Sequence, residues 1–128
     1  MNNYNKLLLS LGSNRSPELN IASACSRLET LFPDIFFSEA VYTSPVDCPC
    51  TEPFLNCLAC ATTVCTLEEV YAMLKDLEEE AGRTPEGKHQ GIVPLDIDVL
   101  QWNEQILKPA DMKRDYVREA LRSLLPET

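Results

Sequence analysis

The sequence has few glycines, little basic charge and no long hydrophobic run. Only 4 of its 128 residues are glycine, and 20 acidic residues outnumber 11 basic ones, so the formal net charge is −9 at pH 7. Most of the surface should repel nucleic acids and acidic membranes, and we expect neither as a partner. The apolar segment at residues 7–11 is far shorter than the roughly 18 residues of a membrane span. We accordingly expect a cytoplasmic protein without a signal peptide or membrane anchor.

Histidine and cysteine, the usual ligands of softer metals, give little support for such a site. His89 is the only histidine, and we expect it to be an exposed loop residue. Cys57 and Cys60 have CxxC spacing, but residues three apart on a strand point to opposite faces. Cys48 and Cys50 have no second Cys or His pair at a fitting distance. We therefore interpret the six cysteines mainly as reduced packing residues.

The apolar pattern predicts one α+β domain that spans residues 1–128. Strand-like and helix-like segments follow the order β-α-β-β-α-β, and a C-terminal helix comes last. This order is that of the ferredoxin-like fold, in which helices cover one face of a sheet, and we expect the other face to be free for a site. The predicted strands are residues 7–11, 35–43, 54–64 and 95–102. Two predicted helices follow a Ser16 cap and a Thr66/Glu69 capping box, and the spacing of Tyr116, Val117, Ala120, Leu121 and Leu124 predicts the last helix.

Two connections are long for so small a domain. Residues 44–53 and 83–93 are rich in proline, glycine or polar side chains. Long loops in compact domains commonly bind ligands or close over them. We therefore expect both connections to contribute to a binding site.

Two aspartates lie on the last predicted strand. The two-residue period of a strand places Asp96 and Asp98 on one face and their apolar neighbours on the other. Their Cα atoms should be about 6.6 Å apart, so the carboxylates can converge on one or two hard cations such as Mg²⁺. The alternative is that both aspartates only solvate an open sheet face. Aspartate is disfavoured in strands, but the pattern alone leaves both interpretations open.

Five short motifs occur in a fixed order along the chain. They are LGSN at 11–14, YTSP at 42–45, FLN at 54–56, Glu78 with GR at 82–83, and LDID at 95–98. In this order and spacing the chain resembles the hydroxymethyldihydropterin pyrophosphokinases over most of its length. The resemblance favours the metal interpretation of the aspartates.

The resemblance implies an enzyme of folate biosynthesis. Such an enzyme transfers diphosphate from ATP to the hydroxymethyl group of 6-hydroxymethyl-7,8-dihydropterin and releases AMP. By this resemblance Asp96 and Asp98 would bind two Mg²⁺ ions, and together with Arg83 they would be the catalytic residues. The substrates would be ATP and the reduced pterin, and we expect a monomer.

The resemblance also implies two sets of binding residues. The ATP set is Glu78, Arg83, Lys88, Ile97 and Arg114. The pterin set is Ser44, Pro45, Val46, Asp47, Phe54, Asn56 and Tyr116, with the two rings stacked on the pterin. Without the resemblance, Glu78 would be interpreted as a solvated helix residue, and the two rings as core packing.

The chain departs from the family pattern at three positions, one of which is a basic loop residue replaced near Pro85. Val93 stands where the family usually carries an arginine, and Ala110 stands where it carries a histidine. Lys88 and His89 are candidate substitutes. Losing one cation at a phosphoryl-transfer site can cost a few kcal/mol of transition-state stabilisation. Two alternatives therefore stay open: a weakened or inactive paralogue that binds nucleotide or pterin, and a ferredoxin-like small-molecule-binding or interaction domain.

Overall fold

The computed structural model describes residues 4–44 and 52–124 of the chain. Within these ranges the protein is a mixed structure in which five helices accompany one open antiparallel sheet of six strands. No helix there is long and apolar enough to cross a bilayer. The strands are β1 Asn5–Ser13, β2 Phe36–Phe37, β3 Val41–Thr43, β4 Phe54–Thr63, β5 Asp96–Trp102 and β6 Gln105–Ile106. The helices are α1 Pro17–Leu31, α2 Leu67–Glu80, α3 Pro85–His89, α4 Pro109–Met112 and α5 Asp115–Leu124.

The three longest strands form the centre of the sheet. The strand order is β2-β4-β1-β5-β6, and β3 also pairs with β4. Strand β1 therefore lies between β4 and β5, and its register brings residues of all three strands together in rows. Ser10 lies between Leu58 and Asp98. These rows decide which side chains share a surface.

One face of the sheet, which we call the helix-covered face, is apolar and packs against α1 and α2. Leu9 on β1, Leu28 on α1 and Val70 on α2 are all fully buried in this core. Full burial of such a side chain stabilises the fold by about 1.5 to 3 kcal/mol. The alternation of a strand supplies the other core residues on this face, which are Leu7, Leu11, Cys57, Ala59, Ala61, Ile97 and Val99.

The opposite face is divided between packing and polar residues. Helix α5 inserts Val117 onto a small core formed with Leu8, Leu58 and Leu100. The expectation that this whole face is free was therefore wrong, because α5 covers one part of it. We call the remaining polar part the site face; its residues are Ser10, Gly12, Asn56, Asp96 and Asp98.

The predicted strand at residues 35–43 is interrupted. It forms the two short strands β2 and β3, and both pair with β4. At the break, the Ser38 hydroxyl oxygen accepts a hydrogen bond from the backbone N–H of Leu58 at 2.8 Å. The Ser38 hydroxyl thus takes the place of a backbone carbonyl in the hydrogen bonding with β4. Serine side chains commonly bond to backbone groups in this way.

Of the two predicted helix caps, one forms. Thr66 and Glu69 form the predicted capping box at the start of α2. Helix α1 begins at Pro17 as expected, but Ser16 adopts a left-handed conformation, φ 43°, and its side chain makes no capping bond. The predicted loop at 83–93 contains the short helix α3, which Thr84 caps. Strand β6 and helix α4 were not predicted, because elements of two and four residues carry no period.

Candidate active site

The floor of the candidate site is a row of residues across three strands. Gly12 on β1 pairs with Asn56 on β4 and with Asp96 on β5. Neighbouring strands lie about 4.8 Å apart, so the Asn56 amide and the Asp96 carboxylate flank the glycine on the same face. Asp98 lies one step further along β5, opposite Ser10. The structure thus brings the two predicted carboxylates and one predicted pterin residue onto a common surface.

The two carboxylates form an unfavourable pair in the absence of a cation. Burial, and then the nearby charge of Asp96, raise the pKa of Asp98 to about 7. A divalent cation would relieve both effects. Within residues 4–44 and 52–124 no group of three or more His, Cys, Asp or Glu side chains converges on a metal position. A pair of carboxylates suits Mg²⁺, which takes one or two from the protein and its other ligands from water and phosphate.

Arg83 lies against the carboxylates rather than in open solvent. Its Nη1 atom donates hydrogen bonds to Asp96 Oδ1 at 2.9 Å and to Glu78 Oε2 at 2.8 Å. The same nitrogen lies 3.3 Å from the carbonyl oxygen of Leu95. Arg83 is therefore not an isolated surface charge. Its guanidinium links the end of α2 to the start of β5.

Glu78 is a partly buried residue of the site. Its Oε2 atom accepts a hydrogen bond from the backbone N–H of Ile97 at 2.8 Å, in addition to the one from Arg83. Burial raises the pKa of Glu78, against the opposing effects of these two donors. The alternative interpretation of Glu78 as a solvated helix residue is thus wrong.

The open edge of β5 explains why the Glu78 and Arg83 side chains are held at the site. At residues 95–97, β5 has β1 on one side and no described strand on the other, since β6 pairs only from Gln101 onward. Glu78 and Arg83 satisfy the backbone N–H of Ile97 and the carbonyl of Leu95 at this open edge. The Ile97 side chain is buried, so only its backbone is available to a ligand. The N–H and C=O of one strand residue point to the same edge, which directs the Ile97 carbonyl toward this opening.

A cavity of about 800 Å³ lies along this edge. Its size is within the range of small-molecule and cofactor sites. Acidic and basic side chains line it together. The acidic ones include Glu78, Asp96 and Asp98, and the basic ones include Arg83, Lys88 and Lys108.

The other end of the site face carries the predicted pterin residues. Asn56 is only 5% exposed, and its Nδ2 donates to Thr43 Oγ1 at 2.6 Å and to the Phe54 carbonyl at 3.1 Å. These bonds fix the orientation of the amide. A Cβ atom on Gly12 would lie 3.0 Å from Asn56 Oδ1 and 3.6 Å from the Phe54 ring. The glycine therefore permits both side chains to approach the β1 backbone closely.

Tyr116 approaches the same face from α5. Its hydroxyl lies 3.3 Å from Ser10 Oγ, and burial raises its pKa. The guanidinium of Arg114 lies 4.7 Å from the centroid of the Tyr116 ring, in cation–π contact. Tyr116 also packs against the core that contains Val117. Its ring is thus both a packing residue and a neighbour of the polar row.

Two further parts of the sequence prediction concern residues 44–47 and Val93. Pro45, Val46 and Asp47 lie outside the described residues, and Ser44 is an exposed residue immediately before them. Val93, which replaces the arginine of the family pattern, is buried. Its N–H donates to Asn14 Oδ1, and its carbonyl accepts from the Asn14 N–H.

Two residues near the carboxylates were missed by sequence reasoning. Ser10 interrupts an apolar strand on the same face as Gly12, and this interruption was a usable signal. Lys108 had no such signal, because only the unpredicted turn through β6 brings it back to β5.

The chain matches one family of known proteins. The family model described as 7,8-dihydro-6-hydroxymethylpterin-pyrophosphokinase (HPPK) matches residues 8–126. The matched range contains every described residue of the site face and of the β5 edge. No curated protein matches the chain significantly.

Proposed function

Because the chain belongs to the 7,8-dihydro-6-hydroxymethylpterin pyrophosphokinase family, we propose that it is an ATP-dependent diphosphotransferase of folate biosynthesis. Its substrates would be ATP and 6-hydroxymethyl-7,8-dihydropterin. The pterin hydroxyl oxygen would form a bond to the β-phosphorus of ATP, and the bond from that phosphorus to the α–β bridging oxygen would break. AMP leaves with that oxygen, and the hydroxyl proton passes to solvent. The observation that carries this proposal is the Asp96/Asp98 pair, which lies between a nucleotide-sized cavity and the polar row at Asn56.

The cavity at the β5 edge would bind ATP. Members of this family use ATP and Mg²⁺, and we propose that Asp96 and Asp98 hold two such ions. When bound, Mg²⁺ neutralises the triphosphate and makes the β-phosphorus more electrophilic. Arg83 offers a second guanidinium nitrogen beside the one that already bonds Asp96. The open carbonyl of Ile97 would accept a hydrogen bond from the base.

The other ATP contacts of the proposal come from outside this edge. Lys88 lines the cavity from the last turn of α3. Arg114 would reach the phosphates from the segment before α5, where its guanidinium now covers Tyr116.

The pterin would bind at the other end of the site face. Phe54 and Tyr116 approach this face from β4 and α5 over neighbouring positions of β1, which supports stacking of a flat heterocycle between them. The fixed Asn56 amide would bond the edge of the heterocycle. In this proposal residues 44–47 complete the pocket.

Several broader expectations remain predictions. The observed strand order supports a ferredoxin-like assignment, in which β2 and β3 together count as one edge strand. We also propose that residues 1–128 are one domain, and that the protein works as a cytoplasmic monomer.

The test of the proposed function is AMP formation from ATP. We expect AMP formation in the purified protein to require both Mg²⁺ and the hydroxymethylpterin. Asp96→Asn should lower kcat/KM by about 100-fold or more, because it removes a ligand of the Mg²⁺ that would stabilise the transition state. Asp76→Asn, on the exposed side of α2, is the matched control and should have normal activity. Wild-type protein that forms no AMP above background would refute the proposal.

One observation favours a second candidate, a paralogue that binds its ligands without turnover. Val93 is buried and its backbone is held by Asn14, so the position that carries an arginine in the family provides no cation. Calorimetric titration separates the candidates. Binding of ATP and of pterin with no AMP production identifies the non-catalytic paralogue.

A further inference from the structure

We propose that Lys108 binds the phosphates of the nucleotide and supplies the cation that Val93 does not. This inference rests on the proposed nucleotide site. Nothing in the sequence motifs points to Lys108; its assignment depends on where the turn after β5 places it.

The backbone holds Lys108 in position at the rim of the cavity. The N–H groups of Leu107 and Lys108 both donate to the carbonyl of Leu100, at 2.8 Å and 3.3 Å. The Lys108 carbonyl in turn accepts from the N–H of Met112 at 3.1 Å, which begins α4. These bonds attach Lys108, a residue of a surface turn, to Leu100 of β5, which is two residues beyond Asp98. Its side chain lines the same cavity as both aspartates.

The charge of Lys108 acts on the site. Lys108 lies close enough to Asp98 for the two opposite charges to attract each other. Arg83 lies beside Asp96 instead. The two cations thus approach different carboxylates of the pair, and a triphosphate bound over that pair would lie between them.

The ammonium group of Lys108 is available for a ligand. Arg83 is already engaged by two carboxylates, whereas Lys108 forms no ion pair within the described parts of the chain. Its long flexible side chain is exposed and can follow a phosphate oxygen. In a protein with a net charge of −9, a cavity that contains Glu78, Asp96 and Asp98 needs local cations to hold a polyanion. A cation bound by Asp98 would also repel the ammonium group and leave phosphate oxygens as its acceptors.

Calorimetric titration of the full chain with ATP and with adenosine tests this assignment. Lys108→Met should weaken ATP binding in Mg²⁺ by about 10- to 100-fold, the range of a hydrogen bond to a charged group. Adenosine has no phosphates, so its affinity should stay unchanged. Lys108→Arg should keep ATP affinity within about threefold, because the charge remains. Lys113→Met, an exposed lysine just after α4 that does not line the cavity, is the matched control and should bind as wild type does.

The other possible results overturn this assignment, the proposed function, or both. If Lys108→Met binds ATP as tightly as wild type, or loses ATP and adenosine equally, the assignment is overturned. A purely structural role predicts that equal loss, and urea unfolding of the variant shows whether its stability has changed. Wild-type protein that binds ATP in a Lys108-dependent way but forms no AMP would refute only the proposed function. Wild-type protein without measurable ATP affinity would overturn both.

Discussion

The two faces of the sheet use the same three strands for different purposes. On the helix-covered face, β1, β4 and β5 present apolar side chains that α1 and α2 bury. On the site face, the neighbouring residues of the same strands are Ser10, Gly12, Asn56, Asp96 and Asp98. Because successive side chains of a strand point to opposite faces, stability and the candidate chemistry are separated by a single residue step. Substitutions one position apart should therefore have different consequences.

The comparison also explains how the site face can hold an unfavourable charge pair. Burial and the nearby charge of Asp96 disfavour the ionised form of Asp98 and raise its pKa. Leu9 and Leu11, buried on the other face, contribute the hydrophobic free energy that offsets this cost. Functional sites commonly contain such locally unfavourable groups.

The largest expected effect tests the helix-covered face. Leu9→Ala removes a fully buried side chain and should lower the free energy of unfolding by about 2 to 5 kcal/mol, through lost burial and a cavity. Urea denaturation measures this change. Leu19→Ala, at a residue of α1 that is 71% exposed, is the control and should change stability by less than about 0.5 kcal/mol. Equal effects of the two substitutions would break the comparison between the faces.

The second prediction is a gain in the free energy of unfolding, and it depends on pH. The pKa of Asp98 is raised to about 7, so the native state favours its protonated form. Its contribution to stability is greatest below the unfolded pKa of about 4 and is lost as the pH rises toward 7. The Asp98→Asn variant carries no such charge, so without Mg²⁺ it should gain about 3 to 4 kcal/mol over wild type between pH 4 and pH 8, because the two pKa values differ by about three units.

Urea unfolding at a series of pH values measures that gain. Asp76→Asn serves as the control, because this residue lies on exposed helix surface. A stability difference between Asp98→Asn and wild type that stays constant from pH 4 to pH 8 would contradict the prediction.

A smaller effect should arise at the glycine between the two halves of the site. Gly12→Ala places a Cβ 3.0 Å from Asn56 Oδ1, so the amide must move. We expect a loss of about 1 kcal/mol in unfolding free energy, the lower end for overpacking. In the proposed site, pterin affinity should fall while ATP affinity stays near wild type. Calorimetry with each ligand measures this selectivity, and an equal loss of both affinities would argue against a pterin pocket at Asn56.

The smallest effect should come from Ser10→Ala, one residue from Leu9. The Ser10 to Tyr116 hydroxyl separation of 3.3 Å indicates a weak hydrogen bond, so the loss in stability should be below about 1 kcal/mol. Ser10 lowers the pKa of Tyr116 against the larger effect of burial. Its removal should raise that pKa further, which absorbance titration of the tyrosines detects. An unchanged titration curve would show that the two hydroxyls do not interact.

Much of the fold was predictable because long elements carry strong periods. The strands at β1, β4 and β5 and the capping box at Thr66 follow directly from the sequence pattern. The interruption between β2 and β3 was not predictable, since the hydrogen bond at the break joins Ser38 to Leu58, 20 residues away.

The candidate site was predictable only in part. The alternation of residues in β5 placed Asp96 and Asp98 on one face, and the motifs pointed to Glu78 and Arg83. Arg83 is joined to β5 by its ion pair with Asp96, and Glu78 by the hydrogen bond that it accepts from the Ile97 N–H. Neither contact could be derived from spacing.

The amino-acid sequence by itself determined which residues face the core and which face the site, because the two-residue period of a strand is a local property. Tertiary structure alone decided which polar residues meet. The order of the strands placed Asn56, Gly12 and Asp96 in one row, and the open edge of β5 recruited Glu78 and Arg83. The turn through β6 returned Lys108 to the aspartates. These contacts join residues far apart in the chain, and only the packing of complete elements establishes such distances.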